Sequence, residues 1–443
     1  MLVTHATIAT LGEPPQLHED GALLIRGDKI VAVDTTATLI AAHPDEERLD
    51  AGGQLALPAA LCGHTHFYGA FARGWAYPGP AATRFGEILE RLWWKLDKAL
   101  TVEDVRVSAQ LCLADAIRHG TTTLIDHHAS PGAIAGVLDV LADAVVQSGV
   151  RAVLCYEVTD RDGPECAAAG IAENVRFLRR LRAQSHPQLG ASFGLHASLT
   201  LSAATLAEAV AAAGDLGTGF HIHAAEGQED VKDSLARSGK RVIHRLADAG
   251  ILGPRTIVAH AVHVDKSEMD VLAKTGTWVT HQPRSNMNNA VGFAPVAEML
   301  RRGVNVALGN DGFSNNMAAE MKVAYLGHKL VESDPRAMPA DVVFDMAYAA
   351  NARLARIFWP DQRLGELAPG AAADLVLLDY HPPTPLTAEN LPWHFIFGYE
   401  ASAITTTISA GRVLMRDRRL LTLDEAGIAS QARALSAKLW ARV

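Results

Sequence analysis

The stretch LALPAALCGHTHFYGAFARG, residues 55–74, sets the reading of the whole chain. An apolar run ends at Cys62 and gives way to His64 and His66, two residues apart. In an extended strand residues i and i+2 share a face, so both imidazoles point to one centre. Taken alone, such a pair reads more readily as two hydrogen-bonded histidines closing a strand than as half of a metal site. Other strands must end in the same way before a metal site is implied.

Several do. From residue 58 onward, strand-like apolar runs alternate with Ala- and Leu-rich stretches of helical spacing, such as TVEDVRVSAQLCLADAIRHG (101–120). After the opening run come TTTLIDHH (121–128), VRAVLCYEVTD (150–160), GASFGLHAS (190–198) and GTGFHIHAAE (217–226). TIVAHAVHV (256–264), TWVTHQPRSN (277–286) and NVALGNDG (305–312) complete a set of eight. Strand–helix alternation implies parallel strands, and eight units close a (β/α)₈ TIM-like barrel of the α/β class. Catalytic groups of such barrels sit at the C-terminal strand ends. Here strand 1 ends in His64 and His66, strand 4 in His196, strand 5 in His223 with Glu226 three residues on, strand 6 in His260 and strand 8 in Asp311. Three imidazoles and one carboxylate from this group make an N₃O set suited to Zn²⁺ or Fe²⁺, with room for a water.

The chain ends have a different texture. LLIRGDKIVAV (23–33) reads as a hairpin broken at Gly27 and Asp28, and strands return in ADLVLLDY (373–380) and ITTTISAGRVLMRDRRL (404–420). The expected organisation is 1–57 as the first part of a small β domain, 58–361 as the barrel, and 362–443 as the second part plus a terminal helix. Both ends would thus share one small β-sandwich. A net charge of −9 with interspersed signs gives no argument for nucleic acid or an anionic membrane. No apolar run reaches the roughly 20 residues needed to span a bilayer. The first residues lack a secretory pattern, and Cys62, Cys112, Cys155 and Cys166 lack CxxC spacing. The expected location is the cytoplasm.

With these residues in view, the chain resembles the amidohydrolase superfamily over essentially its whole length. GGQLALPAALCGHTH and LGELAPGAAADLVLLD look like the junctions of its barrel and small domain. HAAE, VAH and GNDG are similar to the mononuclear aminohydrolases acting on purines, pyrimidines, pterins and triazines. GHTHFYGAFARG, LWWKLD, IDHHASP, HIHAAE and RSNMNN resemble the SsnA-type aminohydrolases. The resemblance implies His64, His66, His223 and Asp311 as ligands of one divalent metal, Zn²⁺ before Fe²⁺. It implies Glu226 as proton shuttle, His260 as the group holding water or substrate, and His196 as a substrate contact. Asp311, at the metal's edge, would take the proton from attacking water. Strand 4 carries no lysine to bridge a second metal.

These expectations amount to hydrolytic deamination of a nitrogen heterocycle by a cyclic amidine deaminase, releasing ammonia. A cyclic amide hydrolase or triazine chlorohydrolase on the same scaffold is the alternative, and a catalytically silent assembly protein the reading from another class. Arg73, Asp97, His281 and Asn286 are further candidates for contact with a small heterocyclic substrate, Arg73 through an oxo or anionic group. His221 is read as lying deeper in the barrel, His127 and His128 as wall or support, His263 as structural and Cys62 as packing. A homodimer or larger homo-oligomer is the family-based expectation.

Overall fold

Both ends of the chain build one sheet. In the computed structural model, which describes residues 1–76 and 78–443, the N-terminal end supplies β1 (Leu2–Ala9), β2 (Leu17–Arg26), β3 (Lys29–Thr35), β4 (Arg48–Asp50) and β5 (Leu55–Pro58). The barrel follows as β6 (Ala60–Thr65), β7 (Thr121–Asp126), β8 (Arg151–Leu154), β9 (Leu189–Ala191), β10 (Phe193–Ala197), β11 (Phe220–Ala224), β12 (Ile257–His260), β13 (Trp278–His281) and β14 (Asn305–Leu308). The C-terminal end returns β15 (Leu375–Leu378), β16 (Ile404–Ser409), β17 (Arg412–Arg416) and β18 (Arg419–Leu420).

The terminal strands run in the order β18-β17-β16-β15-β5-β1-β2-β3, with β4 on β1. β5 joins the two ends, parallel to β1 and antiparallel to β15. Val3, Ile8, Leu23, Ile25, Ile30, Leu375, Leu377 and Ile408 share one apolar core, so the sandwich is a single sheet curled over its own interior.

The eight expected barrel strands are present, the fourth in two pieces. β9 pairs with β8 and β10 with β11, Ser192 lying between. Any Cβ at Gly194 would overlap the Tyr156 carbonyl, which is how closely the third and fourth strands approach. The Asn174 side chain spans the interruption, accepting from the Tyr156 and Gly194 amides at 2.9 and 3.2 Å and donating to Tyr156 O at 2.8 Å. Strands 1 and 8 close the barrel through the Thr65–Asp311 bridge and the amides of Asn310 and Asp311, which donate to His64 O. Below that bridge Asn351 donates to Leu61 O at 2.6 Å and to Leu308 O at 3.0 Å. Every residue of β7, β8, β12 and β13 is buried, as expected for parallel strands covered on both faces.

The terminal helix (Glu425–Trp440) packs against the helix Val102–Arg118 of the barrel. Its Trp440 Nε1 donates to Phe71 O at 2.8 Å, in the segment that follows His66. Among the described residues no helix is long and apolar enough to cross a membrane.

Candidate functional site

The C-terminal strand ends converge. His66 Nδ1 donates to the His127 carbonyl at 2.6 Å and His223 Nδ1 to the His196 carbonyl at 2.7 Å. A neutral imidazole has one N–H, so each ring, when neutral, turns its Nε2 lone pair inward. His64 Nδ1 is held 2.9 Å from His221 Nε2, and among the described residues its own Nε2 makes no hydrogen bond of good geometry. The inward atoms meet Asp311. Oδ1 lies 2.8 Å from His66 Nε2 and 3.4 Å from His64 Nε2, while His66 Nε2 is 3.3 Å from His223 Nε2. Burial above all pushes His64 and His223 well below the ordinary histidine range, whereas for His66 burial is outweighed by the contact with Asp311, which raises the ring to about 9.

Such a knot of ring nitrogens around one buried carboxylate is costly, and a divalent cation that takes the place of the proton between His66 and Asp311 serves all four groups at once. The donor set is N₃O, which fits Zn²⁺ or Fe²⁺. His260 also reaches the centre, its ligating atom within 4.8 Å of those of His64, His223 and Asp311. Asn286 Nδ2 donates to His260 Nδ1 at 2.9 Å, which leaves the proton on Nε2, 3.4 Å from Glu226 Oε2. That ring therefore presents a donor where His66 and His223, when neutral, present lone pairs.

Glu226 and Asp311 differ in state. Burial first, and the Asp311 charge second, raise the Glu226 carboxyl well above its usual range. Burial also opposes ionisation of Asp311, but its contacts with His64 and His66 outweigh that and hold it well below the usual range. Ser285 Oγ donates to Asp311 Oδ2, and Asn289 Nδ2 to Glu226 Oε1 at 3.3 Å. The backbone is bent to deliver these groups: Ala225, His260, Ala261 and Asp311 have φ of +52°, +74°, +49° and +58°. Residues with a Cβ rarely adopt this region, and it clusters where structure serves a site.

These groups floor a cavity of about 580 Å³ whose wall includes Tyr68, Trp93, Trp94, His196 and Phe313. His196 faces it with Nδ1 2.7 Å from Thr200 Oγ1. Arg73 lines the mouth, 3.4 Å from Phe313 O and 3.8 Å from Asp115. Asp97 lines the wall but is already partnered, its Oδ2 accepting from Arg161 Nη2 at 2.7 Å beneath Trp94. The remaining two candidates stand elsewhere. His281 is fully buried away from the cavity, packed against Phe293 and His328, because its side chain points outward from the barrel strand. Asn286 stands behind His260 and holds that ring; it does not line the wall.

Other groups at the site carry no motif. Ser285, Asn289 and Asp230 line the cavity, and Glu157 lies buried 3.4 Å from His66 Nδ1 and 3.3 Å from His127 Nδ1. Only the run RSNMNN after strand 7 hinted at the first two. His127 serves through its carbonyl and through Nε2, which donates to His221 O at 3.0 Å.

Comparison with known proteins agrees with this geometry. The amidohydrolase family matches residues 55–414, and residues 21–45 match a bacterial imidazolonepropionase-like composite domain. A 5-methylthioadenosine/S-adenosylhomocysteine deaminase of Desulforudis audaxviator is 32% identical over 423 residues, 95% of each chain. A 5'-deoxyadenosine deaminase of Methanosarcina mazei is 32% identical over 447 residues, covering 100% of this chain and 99% of the relative. The crystal structure of an adenosine deaminase from Xanthomonas campestris, with zinc bound, superposes with a TM-score of 0.85 at 25% identity, covering 99% of this chain and 98% of that one. With a barrel whose strand ends gather three inward imidazoles and an aspartate, and a family match across most of its length, the chain belongs to the amidohydrolase family.

Proposed function

We propose that the protein is a metal-dependent aminohydrolase that deaminates a nitrogen heterocycle and releases ammonia, acting on a C–N bond other than a peptide bond. One observation carries the reading: the inward Nε2 atoms of His64, His66 and His223 gather around Asp311 with Glu226 and His260 beside them, the Glu226 carboxyl shifted up by burial and that of Asp311 held down by its histidines. Two carboxyls driven to opposite states are what acid–base chemistry at neutral pH requires. His64, His66, His223 and Asp311 would hold one divalent ion. Zinc is favoured by the N₃O set and by the zinc of the Xanthomonas structure. Such an ion supplies Lewis acidity, which brings the pKa of water toward about 7.

The chain's own groups do the rest. Asp311 takes the proton released by the attacking water. Glu226 delivers its proton to the ring nitrogen that gains charge; the proton held by Asp311 then passes to the departing amine, and Glu226 regains one from the hydroxyl that becomes the product carbonyl. His260, with Nε2–H aimed into the same space, steadies the developing negative charge. His196 orients the ring, the aromatic wall accepts its flat face, and Arg73 meets an oxo or anionic group at the mouth. Asp97, tied to Arg161, serves the wall rather than the ring. An adenine-type nucleoside is the first substrate to try, since the relatives are named for such compounds and the cavity exceeds a free base. The reading includes a cytoplasmic homo-oligomer in which 58–361 carries the chemistry and 1–57 with 362–443 the scaffold.

The test is an ammonia-release screen across purine nucleosides, purines, pterins, pyrimidines and triazines, with metal analysis of each preparation. Glu226→Gln is expected to keep its metal and lose about 10²–10⁴-fold in turnover on the best substrate. Near-normal turnover in that variant would remove the assigned role.

A further inference from the structure

We infer that Asp230 is a positioning residue that holds Glu226 in place through the backbone of Ala225. Asp230 lies on the helix Gln228–Ser238, four residues after Glu226, and borders the cavity. It is 2% exposed, and among the described residues no lysine or arginine lies within ion-pair distance of it, Arg245 acting on it only from farther off. Its Oδ2 accepts instead from the Ala225 amide at 2.6 Å. Burial pushes this carboxyl up to about 7 against the pull of the Ala225 amide, so that one short bond does most to favour its charged form.

The peptide it holds is the one that needs holding. Ala225 has φ +52°, a conformation that residues with a Cβ seldom adopt, and it directly precedes Glu226. Its carbonyl accepts from His263 N at 2.9 Å, so Ala225 is fastened on both sides, to the helix and to the turn after strand 6. That turn is itself left-handed, at His260 and Ala261, and Ala261 N donates to Ala224 O at 3.1 Å. Glu226 and His260, 3.4 Å apart, are therefore presented by two strained turns that are bonded to each other.

Arg245 completes the support from the opposite sign. It is 7% exposed, and among the described residues no carboxylate lies within ion-pair distance of it. Its guanidinium donates to Ser198 O at 2.8 Å, Ser198 Oγ at 2.9 Å and Leu201 O at 2.5 Å. Those residues flank Leu199, which lines the cavity. These two buried side chains attract each other through space while each bonds backbone, and together they fix the loops after strands 4 and 5.

The inference rests on the proposed role of Glu226. A misplacement of about 1 Å in a reacting group costs on the order of 10²-fold in rate. Asp230→Ala is expected to lower kcat by about 30–100-fold with KM changed less than about threefold, metal content remaining at the wild-type level. Asp230→Asn keeps an oxygen for the Ala225 amide and should recover kcat to within about fivefold. Should the alanine variant not fold, Asp230→Ser, whose hydroxyl falls short of that amide, takes its place with the same expected loss. A folded, metal-loaded Ala or Ser variant with kcat within twofold of wild type overturns the inference, as does a loss of metal in step with kcat. A merely structural role would lower Tm and leave kcat per folded, loaded enzyme unchanged. Glu226→Gln is assayed alongside. If it stays active, the role of Glu226 itself fails; if it is inactive while Asp230→Ala is active, only the positioning role fails.

Discussion

Asp97 and Arg161 show how one residue's meaning changes with its partner. Both side chains are buried, at 3% and 7% exposure, and joined at 2.7 Å. Burying a pair costs little net, but removing one member strands a charge. Asp97→Asn is therefore expected to destabilise the protein by about 3 kcal/mol in chemical denaturation, whereas Asp97→Asn with Arg161→Met is expected to recover most of that loss. A double variant no more stable than the single one would contradict the coupling. Asp126 gives a pH-dependent case. Burial pushes its carboxyl up to about 7, against the pull of the Phe67 amide, which donates to it at 2.7 Å. A carboxyl raised on folding contributes stability that is fully present below the unfolded value of about 4 and is lost as pH rises through about 7. Measured by Tm from pH 4 to 8, the wild type should lose ground steadily against Asp126→Asn across that window.

At the scale of elements, spacing carries much and partnership little. His64 and His66 were legible because a period of two and an apolar run before them are local facts. His223, Glu226, His260 and Asp311 were legible because strand ends in a barrel converge. His281 obeys the same rule on paper and faces the other way, since a period of two does not say which face is inward. The Arg161 partner of Asp97, 64 residues distant, and the break of strand 4 at Ser192 have no local signal at all. Closure of the barrel depends on a glycine for similar reasons. A Cβ at Gly309 would stand 2.9 Å from both the amide nitrogen and the Cβ of His64. Gly309→Ala should push strand 1 away from strand 8 and weaken metal retention by about tenfold or more in chelator competition, since one displaced ligand loosens the whole set. Unchanged retention would mean the strands yield without moving His64.

For the whole molecule, the last helix is what joins the small sheet's side of the chain to the pocket. Trp440 bonds Phe71 O at 2.8 Å and stacks on Trp75 with centroids 6.4 Å apart. Arg442 then donates to the buried Asp104 at 2.5 Å, which also caps the helix Val102–Arg118. The segment Phe67–Ala72 thus runs from the inward His66 at one end to a brace supplied by residues more than 350 positions later. Its own contacts include Ser108, whose hydroxyl donates to Phe67 O at 2.6 Å, so the fold does not rest on Trp440 alone. Trp440→Ala removes a stacked ring and a hydrogen bond at the cavity's outer wall, a loss of roughly 2–4 kcal/mol for a half-buried tryptophan. We expect a lower Tm, faster tryptic cleavage after Arg73, and a KM raised about threefold or more with kcat changed less than twofold, because the brace supports the wall rather than the reacting groups. A fall in kcat with constant KM would place the brace's influence on Glu226 and the metal ligands instead, and would couple the far end of the chain to the chemistry itself.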